Sequence, residues 1–230
     1  MVAPDGPMRA LHKFNPVRVA WICDLLLRET VKGDPSRVEM PLRGFRILDV
    51  GCGGGILCES LARLGAEMVG VDPAANNIAV ARRHADTSGL DIAYRCTTVE
   101  SMVGEGEPFD AVLLMEVIEH VKNVAGFTRD AAALVNPGGL MIGATLNRTL
   151  KSYALAIVGA EYVLRWLPRG THDWHKFVTP REFKALMTRG GLTPIVEAGV
   201  TFDPLRNSWH LSRDMGCNYM IAAQRAADAA

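Results

Sequence analysis

The stretch "ILDVGCGGGILCESLARLG", Ile47 to Gly65, runs a short apolar segment into four glycines among five residues, and then into a helical pattern. Glycine loses more conformational freedom on folding than any other residue, so such a cluster marks a backbone that must turn left-handed or be approached very closely. A tight turn with close helix packing would account for one glycine, not four. The segments that follow supply the setting. Strands are expected at Arg46–Val50, Met68–Val71 and Ile92–Cys96, and in "FDAVLLM" and "LMIGATL". Helices are expected near Ile56–Leu64, Asn76–Ser88 and Val124–Val135, the last stopped by "NPGG". Strands alternating with helices imply an α/β fold, a mostly parallel sheet covered on both faces. "TPIVEAGVTF" and "CNYMIAAQR" read as two late strands forming an antiparallel C-terminal edge, which makes seven strands. In such a sheet ligands bind beyond the carboxyl ends of the strands, where the glycines lie.

A chain of 230 residues suits one domain. It divides into an N-terminal helix (11–32, apolar at helical spacing from Val17 to Leu27), a core (45–146), an insertion (147–177) and a C-terminal helix with strands (178–226). Lysine plus arginine and aspartate plus glutamate number 25 each, so no overall field favours nucleic acid. Cys23, Cys52, Cys58, Cys96 and Cys217 are odd in number and form no CxxC pair, which reads as reduced thiols in a cytoplasmic protein. The first residues carry no secretory h-region, and no apolar run reaches the ~18 residues a membrane span needs.

The glycines do not fit the dinucleotide fingerprint GxGxxG, because Ile56 or Cys58 stands where its last glycine belongs. "LDVGCGGG" has the form hhDhGxGxG and resembles motif I of class I S-adenosylmethionine-dependent methyltransferases. That resemblance implies a Rossmann-like fold, a loop (Gly51, Gly53) passing under the methionine part of the cofactor, and Asp49 near its ammonium group. Asp72 ends "MVGVD" about 20 residues on, where a carboxylate can accept both ribose hydroxyls or simply form a turn. The adenine region maps onto Val99–Glu100.

"LLMEVIEHVKN" follows the fourth strand. If Glu116 opens a helical turn, Glu116, Glu119 and His120 fall at i, i+3 and i+4 on one face. Two carboxylates and an imidazole suit a divalent ion such as Mg²⁺, or a general base, or a solvated face whose acids favour a helix N-terminus.

"HKFNPVR", "GVD", "MEVIEHV", "VNPGGLMIGATLNRT", "VGAEYVLRWLPRGTHDWHKFVTP" and "NYMIAAQR", together with motif I, resemble the ubiquinone-biosynthesis O-methyltransferase family from about Leu11 to Arg225. The resemblance implies that Arg18, Gly51, Asp72 and Met115 bind cofactor and that Glu116, Glu119 and His120 hold Mg²⁺. The implied substrates are polyprenylated phenols and quinols, and other quinone-biosynthesis enzymes are implied partners. Family members usually carry an aromatic-rich "WWD" stretch before the "HKFNP" counterpart. It is missing here, so an incomplete form of the protein, with less to cap the cofactor, is expected.

In the insertion, Tyr153 to Leu167 is apolar but for Glu161 and Arg165, flanked by Arg148, Lys151 and Arg169, with Trp166 and Trp174 nearby. It reads as a buried helix or as one lying in a membrane interface. The second reading predicts peripheral attachment to the inner face of the cell membrane. The expected reaction is attack of a phenolate oxygen on the sulfonium methyl. Mg²⁺ would favour the oxyanion; without metal, His120 would take the proton, Glu119 and His120 being the catalytic pair. His172, Asp173, His175 and Lys176 rank behind them. The alternatives are methylation of carbon or of an unrelated small molecule, a nicotinamide oxidoreductase, and a non-catalytic cofactor-binding subunit.

Overall fold

"FDAVLLM" is buried at all seven positions, as a strand covered on both faces must be. It belongs to a computed structural model describing residues 9–30, 32–34, 36, 39–106, 108–154, 173–203 and 206–228, the side chains of 9–13 excepted. Helix α1 (Arg9–Glu29) leads into β1 (Arg46–Val50), α2 (Ile56–Ala62), β2 (Glu67–Val71), α3 (Ala75–Ser88) and β3 (Ile92–Arg95). There follow α4 (Val99–Met102), β4 (Phe109–Met115), α5 (Val124–Ala133) and β5 (Val135–Leu146). A single turn α6 (Leu150–Ser152), then α7 (Pro180–Arg189), β6 (Leu192–Asp203), β7 (Ser208–Ser212) and β8 (Asn218–Arg225) complete the order.

The strands form one sheet in the order β3-β2-β1-β4-β5-β8-β6-β7. The five from β3 to β5 are parallel, while β8, β6 and β7 pair antiparallel. The strand order reverses between β1 and β4, where an open α/β sheet leaves a crevice. Eight strands stand where the sequence predicts seven. The additional one, β7, has only exposed and half-buried residues, so it carries no apolar run to reveal it. The loop expected between β3 and β4 contains the short α4.

Side chains along each strand alternate between two cores. Ile47 and Met68 pack with Ile22, Leu25, Leu26, Leu57 and Leu61 on the α1–α2 side. Leu48, Val50 and Val112 pack with Phe127, Phe183 and Met187 on the α5–α7 side. Helix α7 starts where a capping box predicts: Thr179 and Glu182 satisfy each other's backbone N–H, and Pro180 takes the first turn.

The insertion's residues 155–172 lie outside the described residues, and with them Glu161, Arg165, Trp166, Arg169 and His172. Its two ends meet: Trp174 Nε1 donates to the carbonyl of Thr149 at 3.0 Å. Among the described residues no helix is long and apolar enough to cross a membrane.

Gly55 shows why the loop is so bare. Its φ is +84°, and an added Cβ would lie 2.2 Å from the hydroxyl oxygen of Tyr94, a side chain held in the core. Gly55→Ala combines a strained backbone with overpacking. It should lower unfolding stability by about 3 kcal/mol, read from the midpoint of urea denaturation. A midpoint within error of wild type would mean that Tyr94 moves freely.

Candidate active site

The carboxyl end of β1 continues into Gly51, whose N–H donates to Val71 at 2.8 Å, so the loop is pinned to β2 before it turns. Gly53 has φ +54°, and an added Cβ there would meet no atom within 4 Å, so this part of the loop faces open space. Asp72 ends β2 buried, with both oxygens in use. Oδ2 accepts from Gly53 N–H at 3.1 Å, Oδ1 from Ala74 N–H at 2.8 Å, and Asn77 Nδ2 reaches each at 3.2 Å. One carboxylate thus ties the glycine loop to the first turn of α3.

Asp49 lies beneath the loop, where Cys58 Sγ donates to its Oδ2 at 3.2 Å. Burial pushes its pKa up to about 7, against the hydrogen bond from Cys58 and the nearby Arg18 guanidinium, while the charge of Asp72 adds to the rise. A cation above it would draw the proton off.

Arg18 comes from α1. It is 5% exposed, its Nη2 donates to Glu116 Oε1 at 2.7 Å, and its guanidinium carbon lies 3.9 Å over the ring of Phe14. Its Nε is buried without an acceptor among the described residues. Glu119, 3% exposed, accepts from Thr145 Oγ1 at 2.8 Å, while its Oε1 has no donor among the described residues. Burial, then the charge of Glu116, pushes the Glu119 pKa up to about 8. The series Arg18, Glu116, Glu119, Thr145 therefore passes from α1 across the carboxyl end of β4 to β5.

Glu116 does not open a helical turn. It sits at φ +54°, its N–H donating to Ala144 at 2.9 Å, and the turn after it is a single 3₁₀ turn, Ile118–His120. A 3₁₀ turn after a left-handed residue breaks the i, i+3, i+4 face: Glu116 and Glu119 meet, and His120 stands exposed. Among the described residues no three His, Cys, Asp or Glu side chains gather into a metal site. Met115 closes β4 with 9% exposure. Val99 is 1% exposed in the core, leaving its backbone as the part that a ligand could meet. Asp173, His175 and Lys176 lie beyond α6; Asp173 accepts from the His175 N–H at 3.1 Å and caps the turn there. Sequence reasoning missed Thr145 and Phe14, which no local pattern distinguishes from core residues.

The family model of a methyltransferase domain matches residues 17–197. A ubiquinone biosynthesis O-methyltransferase of Methylocella silvestris is 59% identical over 224 residues, covering 96% of this chain and 88% of the relative. One from Brucella ovis is 54% identical over 224 residues, covering 97% and 90%. Among solved structures, magnesium protoporphyrin IX methyltransferase from Synechocystis PCC 6803 with bound SAH superposes with a TM-score of 0.63 at 18% identity, covering 94% of this chain and 83% of that one. The N-methyltransferase NodS from Bradyrhizobium japonicum gives 0.61 at 14% identity, covering 97% and 99%. At those identities the two structures speak for the fold alone, that of class I S-adenosylmethionine-dependent methyltransferases. With the sequence relatives, they leave one conclusion: the chain belongs to the ubiquinone biosynthesis O-methyltransferase family.

Proposed function

We propose that the chain transfers the methyl group of S-adenosylmethionine to a phenolic oxygen of a polyprenylated catechol-type precursor, such as 2-polyprenyl-6-hydroxyphenol or 3-demethylubiquinol. One observation carries the reading. Asp49, Asp72, Glu116 and Glu119 stand at the ends of β1, β2 and β4, with the Arg18 guanidinium paired to Glu116, beside a left-handed glycine loop open over Gly53. Among the described residues these acids outnumber the cations at the rim, and a cofactor with a sulfonium and an ammonium brings positive charge to it. In this reading Asp72 takes the ribose hydroxyls, Asp49 answers the ammonium, and the unpartnered Nε of Arg18 faces the cofactor's carboxylate. Val99 and Met115 bound the nucleoside.

Transfer requires the acceptor oxygen close to the methyl and in line with the departing sulfur, so positioning is a large part of catalysis. A phenol titrates near 10 and must lose its proton. His120, exposed at the end of the 3₁₀ turn, accepts it at an imidazole nitrogen. Glu116 and Glu119 fit a hard divalent ion: they are two neighbouring carboxylates, one with an oxygen that has no donor among the described residues, although the described His120 does not complete a three-residue metal cluster with them. Mg²⁺ held there would stabilise the oxyanion by its charge. Arg18 and Thr145 hold the two carboxylates in place.

The insertion is the part suited to reach substrate in lipid. At its base Leu150 is 83% and Tyr153 47% exposed, next to Lys151, Arg148 and Lys176. Peripheral attachment to the inner face of the cell membrane, and work beside other quinone-biosynthesis enzymes, follow from that reading.

Turnover with labelled cofactor and short-tailed catechol and demethylquinol analogues tests this. Methyl should appear on oxygen, faster with Mg²⁺ than with EDTA, and faster for long-tailed substrate in anionic than in neutral vesicles. Methyl on carbon, or no transfer, would sink the reading.

A further inference from the structure

The strand that sequence patterning does not reveal ends against the site. We propose that Trp209 of β7 is a positioning residue that, through Phe14, holds the Arg18 guanidinium where the cofactor meets it; the proposal rests on the cofactor reading above. Phe14 and Arg18 are four residues apart on α1 and share a face. The guanidinium lies 3.9 Å over one face of the Phe14 ring. Trp209 stacks on that ring, with centroids 5.1 Å apart and planes at 28°. Trp209 is itself flanked by Phe202, its register partner on β6, at 5.3 Å. A guanidinium and three rings thus make an unbroken series of contacts from helix to hairpin.

Arg18 needs such support. It is buried, contacts one carboxylate through Nη2, and leaves Nε without an acceptor among the described residues. That one ion pair does not stop its fork from rotating off the line of an incoming carboxylate. The Phe14 ring, itself held by Trp209, does, because it restrains the guanidinium plane. Trp209 is not what holds the rest of α1 down. Ile22, Leu25 and Leu26, further along the helix, are wholly buried against the sheet, whereas Trp209 remains half-buried. Losing the indole should therefore loosen the turns that carry Phe14 and Arg18 and leave the later turns docked.

Calorimetric titration of S-adenosylmethionine into the full chain tests the assignment. Trp209→Ala should weaken binding about ten-fold, with a smaller loss of turnover at saturating cofactor because the Arg18–Glu116 contact loosens with it. Trp209→Phe should restore affinity, and Leu211→Ala, on the same face of β7, should leave it unchanged. In the double variant with Arg18→Ala, removing Trp209 should cost nothing further, because both act through one guanidinium. Unchanged affinity in Trp209→Ala, additive losses in the double variant, or failure of Trp209→Phe to rescue would overturn the proposal. Should Trp209→Ala fail to fold, Trp209→Leu keeps apolar bulk without a ring and carries the same comparison. No heat from wild type would instead sink the cofactor reading, and this proposal with it.

Discussion

Glu119→Ala is expected to lower kcat by about 100-fold or more, while the dissociation constant for S-adenosylmethionine stays within about three-fold. Glu119 lies on the far side of Glu116 from Arg18, held by Thr145, so it belongs to the acceptor end of the site. The buried Glu119 lies close to the charge of Glu116, and both conditions favour its protonated form. That preference has a consequence for stability. Burial and Glu116 raise the folded-state pKa of Glu119 from 4.5 to about 8. The folded chain therefore binds this proton more tightly than the unfolded one, and the stability it contributes is complete below the ordinary value and lost as pH climbs through the raised one. Wild type should accordingly melt at lower temperature as pH rises between about 4.5 and 8, and Glu119→Gln, which cannot titrate, should change less. Mg²⁺ should raise the melting temperature of wild type at the alkaline end and leave Glu119→Gln unmoved. Equal slopes for the two proteins would remove the like-charge account. A large loss of cofactor affinity in Glu119→Ala would move the residue to the other end of the site.

Asp72→Ala should show the converse split, a dissociation constant for S-adenosylmethionine raised about 100-fold with kcat at saturating cofactor little changed. Each hydrogen bond to a charged group contributes about 1.5–3 kcal/mol, so losing the ribose pair removes about 3 kcal/mol, or two powers of ten. The carboxylate also holds Gly53, Ala74 and Asn77, so its removal slackens the loop and the start of α3 together. Asp72→Asn keeps one acceptor oxygen and should fall between. Titration calorimetry separates the cases: unchanged affinity in Asp72→Ala would reduce the residue to a loop brace.

The parallel half of the sheet was legible because burial on both faces leaves unbroken apolar runs such as Ala111–Met115. The glycine loop was legible because left-handed turns select glycine, as φ +73°, +54° and +84° at Gly51, Gly53 and Gly55 bear out. The short strand Ser208–Ser212 was not, since half of a solvent-facing hairpin needs no apolar run. Nor was the parting of His120 from Glu116 and Glu119. Nothing in "EVIEHV" forbids a helical turn, and a left-handed glutamate is rare enough that no local rule predicts it.

By itself, the order of residues determined the layering of helices on a parallel sheet, the place of the glycine loop, and which acids stand at the strand ends. Those properties leave marks within ten or twenty residues, in period, in glycine and in burial. Only tertiary structure decided that Arg18 meets Glu116 across 98 residues, that Thr145 rather than a helical neighbour holds Glu119, and that a tryptophan near the C-terminus backs a phenylalanine near the N-terminus. Such pairings depend on how α1 crosses the strand ends, and that crossing is set by the packing of the whole core.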